Sequence, residues 1–382
     1  MRNYKKDSSY TMSLSCNSQK EKSRQQAQKV LMLASVASMI DQFNLPNIRL
    51  MQEQGYEVHV ACNFKEGNTC NDRRIRSLQK TLRGMRVCVH QWDCPRSIFP
   101  VRACIRAYRQ MLKLMEQHRF AWMHCQSPIG GAIARAAAHK SGVRVVYTAH
   151  GFHFYKGAPV KNWLLYYPVE KLLARWTDVL ITVNREDEQF ARRHLRAGKV
   201  CRTAGVGVAV KQFTACGEKQ KQDFRKKYGI PKDALLLLSV GELNQGKNHR
   251  AVIRALAGLE QKNVYYMICG RGALRQKLRL YASRLGVAGR IRLPGFQEDV
   301  RPFYQNADLF VFPSLREGMP VSLIEAMAAG LACAVSDIRG SRELITDSRL
   351  RFAPGDGKRL QEILEMLLAQ DAFRKKCGMR NQ

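Results

Sequence analysis

Two glutamates stand eight positions apart in the stretch LREGMPVSLIEAMAAG, residues 315–330. An apolar run precedes this stretch, and Pro320 suits the first turn of a helix because proline has no N–H to leave unpaired there. The pattern predicts a helix closed by Gly330. It places Glu317 in the loop before the helix and Glu325 about a turn and a half inside it.

The N-terminus of such a helix can bind an anion, because its first N–H groups lack intrahelical partners and the helix dipole is positive at that end. Carboxylates beside it can accept hydrogen bonds from hydroxyl groups. Phosphate and hydroxyl recognition together describe a site for a nucleotide sugar. An alternative stays open at this level: Glu317 only stabilises the helix dipole, and Glu325 is a solvated helix residue.

A lysine and a histidine follow predicted strands elsewhere in the chain. Lys247, in SVGELNQGKNH, lies between a strand and a helix, where a lysine can reach a diphosphate or simply face solvent. His150, in YTAHGFHFYKGAP, follows a strand directly and could orient a substrate hydroxyl or relay a proton. His153 could share that role. A purely structural histidine is the alternative for both.

Other motifs are incomplete. Gly270 and Gly272, in CGRGALRQKL, lack the third glycine of a dinucleotide fingerprint. No Cys, Asp or Glu cluster accompanies the histidines, so the sequence predicts no metal site. The twelve cysteines contain no CxxC pair, which favours reduced thiols in a cytosolic compartment.

Short apolar runs alternate with longer amphipathic stretches from Lys29 onward. The predicted strands are KVLMLAS, EVHVAC, RVCVHQW, FAWMHCQ, RVVYTAH and DVLITVN, then ALLLLSVGEL, VYYMICG, RIRLPG, DLFVFPS and ACAVSD. This alternation predicts an α/β fold of two doubly wound, Rossmann-like parallel sheets. We expect a disordered basic leader at 1–28, an N-terminal domain at 29–205 and a C-terminal domain at 206–382. A cleft between the facing domains is the expected site, since ligands bind beyond the carboxyl ends of such strands.

The chain is strongly basic, with 64 Lys and Arg against 31 Asp and Glu and a net charge of +33. Such an excess favours a polyanionic partner, either nucleic acid, anionic lipid or a phosphorylated substrate. No nucleic-acid recognition motif is present, so we expect no nucleic-acid partner. Residues 1–28 lack the apolar segment of a secretory signal, and no apolar run is long enough to predict a transmembrane helix.

Two basic segments carry apolar residues at helical spacing. Residues 101–118 form a predicted helix with an apolar stripe, and residues 154–176 mix bases with aromatic residues. The stripe consists of Val101, Ile105, Tyr108, Leu112 and Met115, and the bases are Arg102, Arg106, Arg109 and Lys113 in the first segment and Lys156, Lys161, Lys171 and Arg175 in the second. Both segments suit peripheral contact with anionic lipid. Two ordinary amphipathic helices with solvated faces are the alternative.

Together these residues resemble the retaining glycosyltransferases of family 4, which have the two-domain GT-B fold. The resemblance covers about residues 29–368, and its most specific element is the Glu-x7-Glu motif formed by Glu317 and Glu325 after ADLFVFPS. The stretches MIDQFNLPNIRLMQEQGYEVHVACNF and YTAHGFHFYKGAPVKNWLLYYPVEKLLARWTDVLIT resemble bacterial capsular and exopolysaccharide members in particular.

The resemblance implies a role for each residue of the 317–325 segment. Glu317 would hold hydroxyls of the donor sugar, and Glu325 would hold the ribose hydroxyls. The amides of Gly318, Met319 and the neighbours of Pro320 would meet the sugar and the diphosphate.

It implies that Lys247 binds the diphosphate, that His150 lies beside the reacting sugar, and that Gly295 and Phe296 seat the base. The implied reaction retains the anomeric configuration, with the acceptor attacking on the leaving-group face. It needs no obligatory metal or cofactor, because fixed positive groups stabilise the departing diphosphate.

The resemblance also implies the partners. The donor would be a nucleotide-diphosphate sugar, with UDP favoured, and the acceptor a polyprenyl-diphosphate-linked or other glycan in surface polysaccharide synthesis. The enzyme would be cytoplasmic and peripheral on the inner face of the cytoplasmic membrane. A degenerate member that binds nucleotide sugars without turnover, and a basic nucleic-acid binder, are the alternatives.

Three features depart from the family pattern. Many members have Gly-Arg where this chain has Gly241-Glu242, so we expect Glu242 to point away from the diphosphate or Arg271 to compensate. The first-strand loop ASVASMIDQ lacks a frequent Gly-Gly. The chain ends at KKCGMRNQ, where relatives continue through a closing helix, so we expect a short C-terminus whose last helices pack on the N-terminal domain.

Overall fold

The computed structural model describes residues 27–68, 70–97, 99–205, 207–213 and 216–381. Of the leader expected at 1–28, residues 1–26 lie outside the described residues. Two parallel sheets organise the rest of the chain, one of seven strands and one of six. The predicted fold class, two doubly wound α/β domains, is confirmed.

The first sheet has the strand order β3-β2-β1-β4-β5-β6-β7, and all its pairings are parallel. Its strands are β1 (Lys29–Val36), β2 (Glu57–Asn63), β3 (Cys88–Gln91), β4 (Trp122–Cys125), β5 (Arg144–Ala149), β6 (Val179–Thr182) and β7 (Lys199–Arg202). Its helices are α1 (Ala37–Phe43), α2 (Leu45–Glu53), α3 (Asp72–Gly84), α4 (Val101–His118), α5 (Pro128–Ser141), α6 (Val160–Ala174) and α7 (Arg185–His194). Separate apolar clusters cover the two faces of this sheet, as a doubly wound fold requires.

The second sheet repeats the same order, β10-β9-β8-β11-β12-β13. Its strands are β8 (Leu235–Val240), β9 (Val264–Cys269), β10 (Ile291–Gly295), β11 (Leu309–Phe312), β12 (Ala332–Ser336) and β13 (Arg351–Phe352). Its helices are α8 (Glu218–Tyr228), α9 (His249–Gly258), α10 (Arg275–Arg284), α11 (Arg301–Asn306), α12 (Val321–Ala328), α13 (Arg339–Leu344), α14 (Gly357–Ala369) and α15 (Asp371–Asn381). The strand order reverses between β8 and β11, which opens a crevice at their carboxyl ends.

The last helix packs on the second domain. Asn381 Nδ2 donates to the Leu331 carbonyl at 2.7 Å, and a Cβ on Gly378 would lie 2.0 Å from the Gly330 carbonyl oxygen. We expected the last helices on the first domain; α15 instead covers β12, because Gly378 allows it to approach the backbone at Gly330 closely.

Candidate active site

One cleft of about 900 Å³ lies between the carboxyl ends of the two sheets. It is lined by most of the donor and catalytic residues predicted from sequence: His150, Lys247, Phe296, Glu317, Gly318, Met319, Pro320 and Glu325. Gly295 ends β10 just before Phe296 and has a positive φ of 88°. The parallel strands bring these residues together, since each lies between the end of a strand and the second turn of the next helix. Their individual roles stay predictions.

His150 follows β5 and is held by a buried polar chain. Its Nε2 lies 3.1 Å from Gln126 Oε1, and Gln126 Nε2 in turn donates to Asn44 Oδ1. Because the Gln126 oxygen is an acceptor, His150 carries its proton on Nε2 and leaves Nδ1 as an acceptor. Burial lowers the pKa of His150 to about 4. The imidazole is therefore neutral at neutral pH.

The two domains touch at the base of the cleft through glycines. A Cβ on Gly318 would lie 2.0 Å from the His150 carbonyl oxygen, and one on Gly151 would lie 2.9 Å from Gly318 Cα. Gly151 also has a φ of 118°, which L side chains rarely adopt. These glycines let the loop after β11 reach the end of β5, so Glu317 and His150 line the same cavity.

Glu317 and Lys247 form an ion pair at the carboxyl edge of the second sheet. Lys247 Nζ lies 2.7 Å from Glu317 Oε1, and both side chains are about one quarter exposed, at 24% and 21%. A cation suited to phosphate and a carboxylate suited to hydroxyls are thus adjacent. This arrangement fits a ligand that carries both groups side by side.

Glu325 lies largely enclosed on α12. Tyr304 donates its hydroxyl hydrogen to Glu325 Oε2 at 2.8 Å, and burial raises the pKa of this carboxyl group. Glu325 is therefore half-buried and hydrogen-bonded, whereas the alternative placed it in solvent. Tyr304 comes from α11, 21 positions away, and no local sequence signal marks it. The helix begins at Val321, so Pro320 precedes the first turn and does not lie within it.

Glu242 is exposed on the wall of the cleft. Its Oε2 accepts a hydrogen bond from Asn244 Nδ2 at 3.0 Å, within its own loop. The guanidinium of Arg271 lies over the Phe296 ring, 5.4 Å from its centre. A positive group is therefore present on the side of the cleft where the resemblance places the base.

A buried ion pair that the sequence did not predict fastens the two domains. Arg339 of α13 bonds Asp187 Oδ1 of α7 at 2.5 Å and donates to the Phe152 carbonyl at 2.7 Å. The same guanidinium donates to the Glu317 carbonyl at 3.2 Å. Asn184 adds a bond from its Nδ2 to the Gly318 carbonyl at 3.3 Å. These contacts fix the Glu317–Gly318 backbone against the first domain.

A second cavity, of about 310 Å³, adjoins the cleft and shares His150, Glu317 and Gly318 with it. His153 lines this smaller cavity and not the larger one. Burial, followed by the charges of Arg316 and Arg339, lowers the pKa of His153 to about 4. Most of the remaining lining is apolar, contributed by α5 and α6: Ile129, Ala132, Leu165, Val169 and Leu173.

The basic residues of α4 and α6 lie outside both cavities. On α4, four bases and Ile105 share one exposed face, because they follow at three- and four-residue spacing: Arg102, Arg106, Arg109 and Lys113. The predicted apolar stripe of α4 is partly wrong. Val101 and Ile105 are 62% and 46% exposed, and the buried face is formed by Ala107, Met111 and Met115.

Helix α6 also exposes apolar side chains. Its outer surface carries Val160, Leu164, Leu165, Val169 and Leu172, each exposed by more than 40%. Lys156 and Lys161 are exposed at its start. On its buried side, α6 is held by a bidentate ion pair in which Arg135 of α5 donates to both carboxylate oxygens of Glu170, at 2.7 and 3.0 Å. Among the described helices, none has both the length and the apolar character needed to cross a membrane.

Two Rossmann-like domains that face each other across a ligand cleft define the GT-B class of glycosyltransferases. The protein-family model for glycosyl transferases group 1 matches residues 220–382. The family model for the glycosyl transferase 4-like domain matches residues 45–204. The chain is 34% identical over 362 residues to the putative glycosyltransferase EpsD of Bacillus subtilis strain 168, covering 93% of this chain and 91% of EpsD. It therefore belongs to the family 4 glycosyltransferases and is a transferase.

Two other similarities extend this result. The chain is 26% identical over 329 residues to the UDP-Gal:α-D-GlcNAc-diphosphoundecaprenol α-1,3-galactosyltransferase of Escherichia coli, covering 82% of this chain and 80% of that protein. The crystal structure of HepE from Anabaena in complex with UDP-glucose superposes with a TM-score of 0.75 at 16% identity, covering 93% of each chain. That likeness shows the shared fold.

Proposed function

We propose that this glycosyltransferase moves a sugar, with retention of configuration, from a UDP-sugar to a polyprenyl-diphosphate-linked or other glycan acceptor in surface polysaccharide synthesis. The observation that carries the proposal is the Lys247–Glu317 pair, 2.7 Å apart and lining the same cleft as His150. The relative from Escherichia coli is named for a UDP-galactose donor and a lipid-linked acceptor, which supports the same chemistry here.

The larger cleft accommodates the donor. Its volume of about 900 Å³ lies within the range of small-molecule sites. The start of α12 lines it, where the helix dipole favours the diphosphate. Lys247 adds a full positive charge. Glu317 then accepts the sugar hydroxyls and Glu325 those of the ribose, with Tyr304 orienting Glu325.

The departing diphosphate requires stabilisation of its developing negative charge. Lys247 and the α12 N-terminus supply fixed positive potential, so we expect no obligatory metal ion or cofactor in the transfer. Glu242 accepts a hydrogen bond from Asn244 within its own loop, which occupies one of its two carboxylate oxygens. The neutral His150 lies beside the sugar, where its unprotonated Nδ1 can accept a hydroxyl hydrogen.

The smaller cavity is the candidate acceptor site. It meets the donor cleft at His150, Glu317 and Gly318, so two substrates bound in the two cavities would come together there. Arg316 offers a cation for an acceptor diphosphate, and the walls from α5 and α6 offer apolar contact for an isoprenoid. Meeting on one side of the sugar fits attack of the acceptor on the leaving-group face, which gives retention in a single displacement.

The exposed surfaces of α4 and α6 fit the inner face of the cytoplasmic membrane. A helix that follows a parallel strand begins at the carboxyl edge of the sheet, so the first turns of both helices lie on the cleft side. Exposed Val101, Val160 and Leu164 lie in or near those turns. The bases of α4 would contact anionic headgroups while the apolar residues enter the interface.

The test begins with a thermal-shift screen of UDP-, GDP- and dTDP-sugars. The sugar that stabilises the protein is then offered with undecaprenyl-diphosphate-linked acceptors in anionic vesicles, and the product anomer is read by NMR. We expect transfer with retention. Glu317→Gln should lower kcat by at least about a hundredfold. Glu362→Gln, on the exposed face of α14, is the matched control and should transfer normally.

The outcomes separate the alternatives. Equal transfer by Glu317→Gln and wild type would sink the assignment of Glu317. Donor binding without transfer to any acceptor would support the degenerate binding protein. Salt-dependent DNA binding without donor binding would support the nucleic-acid protein, and an inverted product would overturn retention.

A further inference from the structure

Three histidines from distant segments meet on the first sheet. His59 Nδ1 of β2 lies 2.9 Å from His90 Nε2 of β3. The ring centre of His118, the last residue of α4, lies 4.7 Å from that of His59 and 5.0 Å from that of His90. One ring nitrogen of each histidine lies within 4.8 Å of the others.

The fold builds this cluster through strand register and a helix end. His59 pairs with Cys88, so His90, two residues further along β3, projects from the same sheet face as His59. Arg119 adopts a left-handed conformation, φ 50°, and ends α4 just after His118. Phe120 packs edge-on against His59, with ring centres 5.1 Å apart. His59 is buried, whereas His90 and His118 are half-buried and open toward solvent.

A carboxylate orients the central ring. Glu57 Oε1 lies 3.0 Å from His59 Nε2, so a proton on Nε2 is donated to Glu57 and the lone pair of Nδ1 points toward His90. Histidines that bind metals usually donate their second N–H to a carboxylate or carbonyl in this way. The pair therefore presents His59 in the tautomer that a metal ion needs.

Glu57 also supplies negative charge beside the cluster. Its Oε1 lies 3.0 Å from His59 Nε2, so the carboxylate would partly offset the charge of a cation that binds the three rings.

We propose that His59, His90 and His118 form a binding site for a divalent transition metal such as Zn²⁺, which three imidazoles can hold in a tetrahedral site. Zn²⁺ bonds to histidine nitrogen at about 2.0–2.1 Å and is commonly four-coordinate. Binding would require the half-buried His90 and His118 rings to turn so that one nitrogen of each converges with His59 Nδ1; these ligand atoms lie within 4.8 Å of one another. A water molecule takes the fourth position on the open side.

The site is separate from the transfer chemistry. His59 lies in the amino-terminal half of β2, whereas the donor cleft lies beyond the carboxyl ends of the strands. A bound ion would link β2, β3 and the end of α4, the helix with the exposed basic face. The sequence predicted no metal site because His59 and His90 are 31 positions apart, a separation that matches no metal-binding motif.

The experiment uses the full chain purified without a histidine tag and stripped with a chelator. Zn²⁺ is titrated by calorimetry, and Co²⁺ is used as a visible-absorption probe of tetrahedral coordination. We expect one ion per chain and a rise in Tm with Zn²⁺. His90→Gln and His118→Gln should each abolish the Co²⁺ band, and Glu57→Gln should weaken binding by about 10–100-fold. His139→Gln, an exposed histidine stacked on Trp176, should bind like the wild type.

Two results would overturn the proposal. One is a wild-type titration indistinguishable from that of His90→Gln. The other is loss of binding in Cys88→Ser with binding kept in His118→Gln, which would transfer the ion to the neighbouring Glu57, His59 and Cys88 group. Circular dichroism of each metal-free variant checks that it folds, and Glu57→Gln, which keeps all three histidines, provides an independent reading if a histidine variant unfolds.

Discussion

At the scale of single residues, neighbouring side chains hold the carboxylates of the two glutamates in position. Glu317 is held by Lys247, and Glu325 by Tyr304. The sequence predicted both glutamates as site residues from one local motif, because the loop, the helix start and the acids lie within a few positions of each other. It missed Tyr304, since a contact between α11 and α12 leaves no local periodic pattern.

Tyr304→Phe tests whether this hydroxyl positions Glu325. The phenol is buried, and burial raises its pKa, so it stays a donor at every working pH. Losing a hydrogen bond to a charged group costs about 1.5–3 kcal/mol. We therefore expect the donor KM to rise about tenfold or more with kcat nearly unchanged, measured by steady-state kinetics.

The control for Tyr304→Phe is Tyr56→Phe, which removes the hydroxyl from a ring packed edge-on against Trp122 in the first domain. It should leave KM unchanged. A similar KM for wild type and Tyr304→Phe would show that Glu325 needs no such orientation.

At the scale of elements, the Arg339–Asp187 pair joins α13 to α7 and lies almost fully buried, with side-chain exposures of 5% and 2%. Asp187→Asn removes the negative charge and leaves the guanidinium without its counterion. Breaking a buried pair costs about 3–5 kcal/mol. We expect a loss of that order in the free energy of unfolding, measured with urea.

Asp371→Asn is the matched control for Asp187→Asn, because Asp371 pairs with Arg374 and Lys375 on an exposed turn. Its unfolding midpoint should stay at the wild-type value. If the two variants unfold alike, the buried pair does not hold the domains together.

The exposed face of α6 makes a second prediction at this scale. Leu164 is 74% exposed, so Leu164→Glu should not disturb the fold. Burying a leucine side chain contributes about 1.5–3 kcal/mol, so sedimentation with anionic vesicles should show partitioning reduced at least about tenfold. Leu280→Glu, 61% exposed on α10 of the second domain, should bind vesicles normally. If both variants lose vesicle binding equally, the added negative charge explains the loss, and α6 is not a specific membrane-binding face.

At the scale of the whole molecule, stability should fall as the pH is lowered from about 6.5 to 4. Burial is the main reason that the pKa values of His124, His150 and His249 are lowered to about 4. Between that value and the ordinary pKa of about 6.5, the unfolded chain binds protons that the folded chain does not. Each histidine then contributes up to about 2 kcal/mol of destabilisation at pH 5.

Urea unfolding at pH 7 and pH 5 measures this effect. His124→Gln should show a shallower dependence on pH, since it removes one of the histidines whose pKa burial lowers. Equal midpoints at the two pH values in the wild type would contradict the prediction.

The alternation of strands and helices was enough to predict both sheets, because buried parallel strands are continuous apolar runs. The edge strands β7 and β13 were not predicted from the sequence. The former reads KVCR, with a base at each end, and the latter has two residues. The Arg339–Asp187 pair joins residues 152 positions apart, and the histidine cluster joins three elements, so only the folded chain reveals them.

The glycine contact at the base of the cleft limits how this protein can evolve. Every substitution of Gly318 adds at least a methyl group, and that group would lie 2.0 Å from the His150 carbonyl oxygen. No other residue can therefore replace Gly318 unless the two domains move apart. A library selected for activity should return glycine alone at position 318, whereas Gly289, with open space around its Cβ position, should accept alanine.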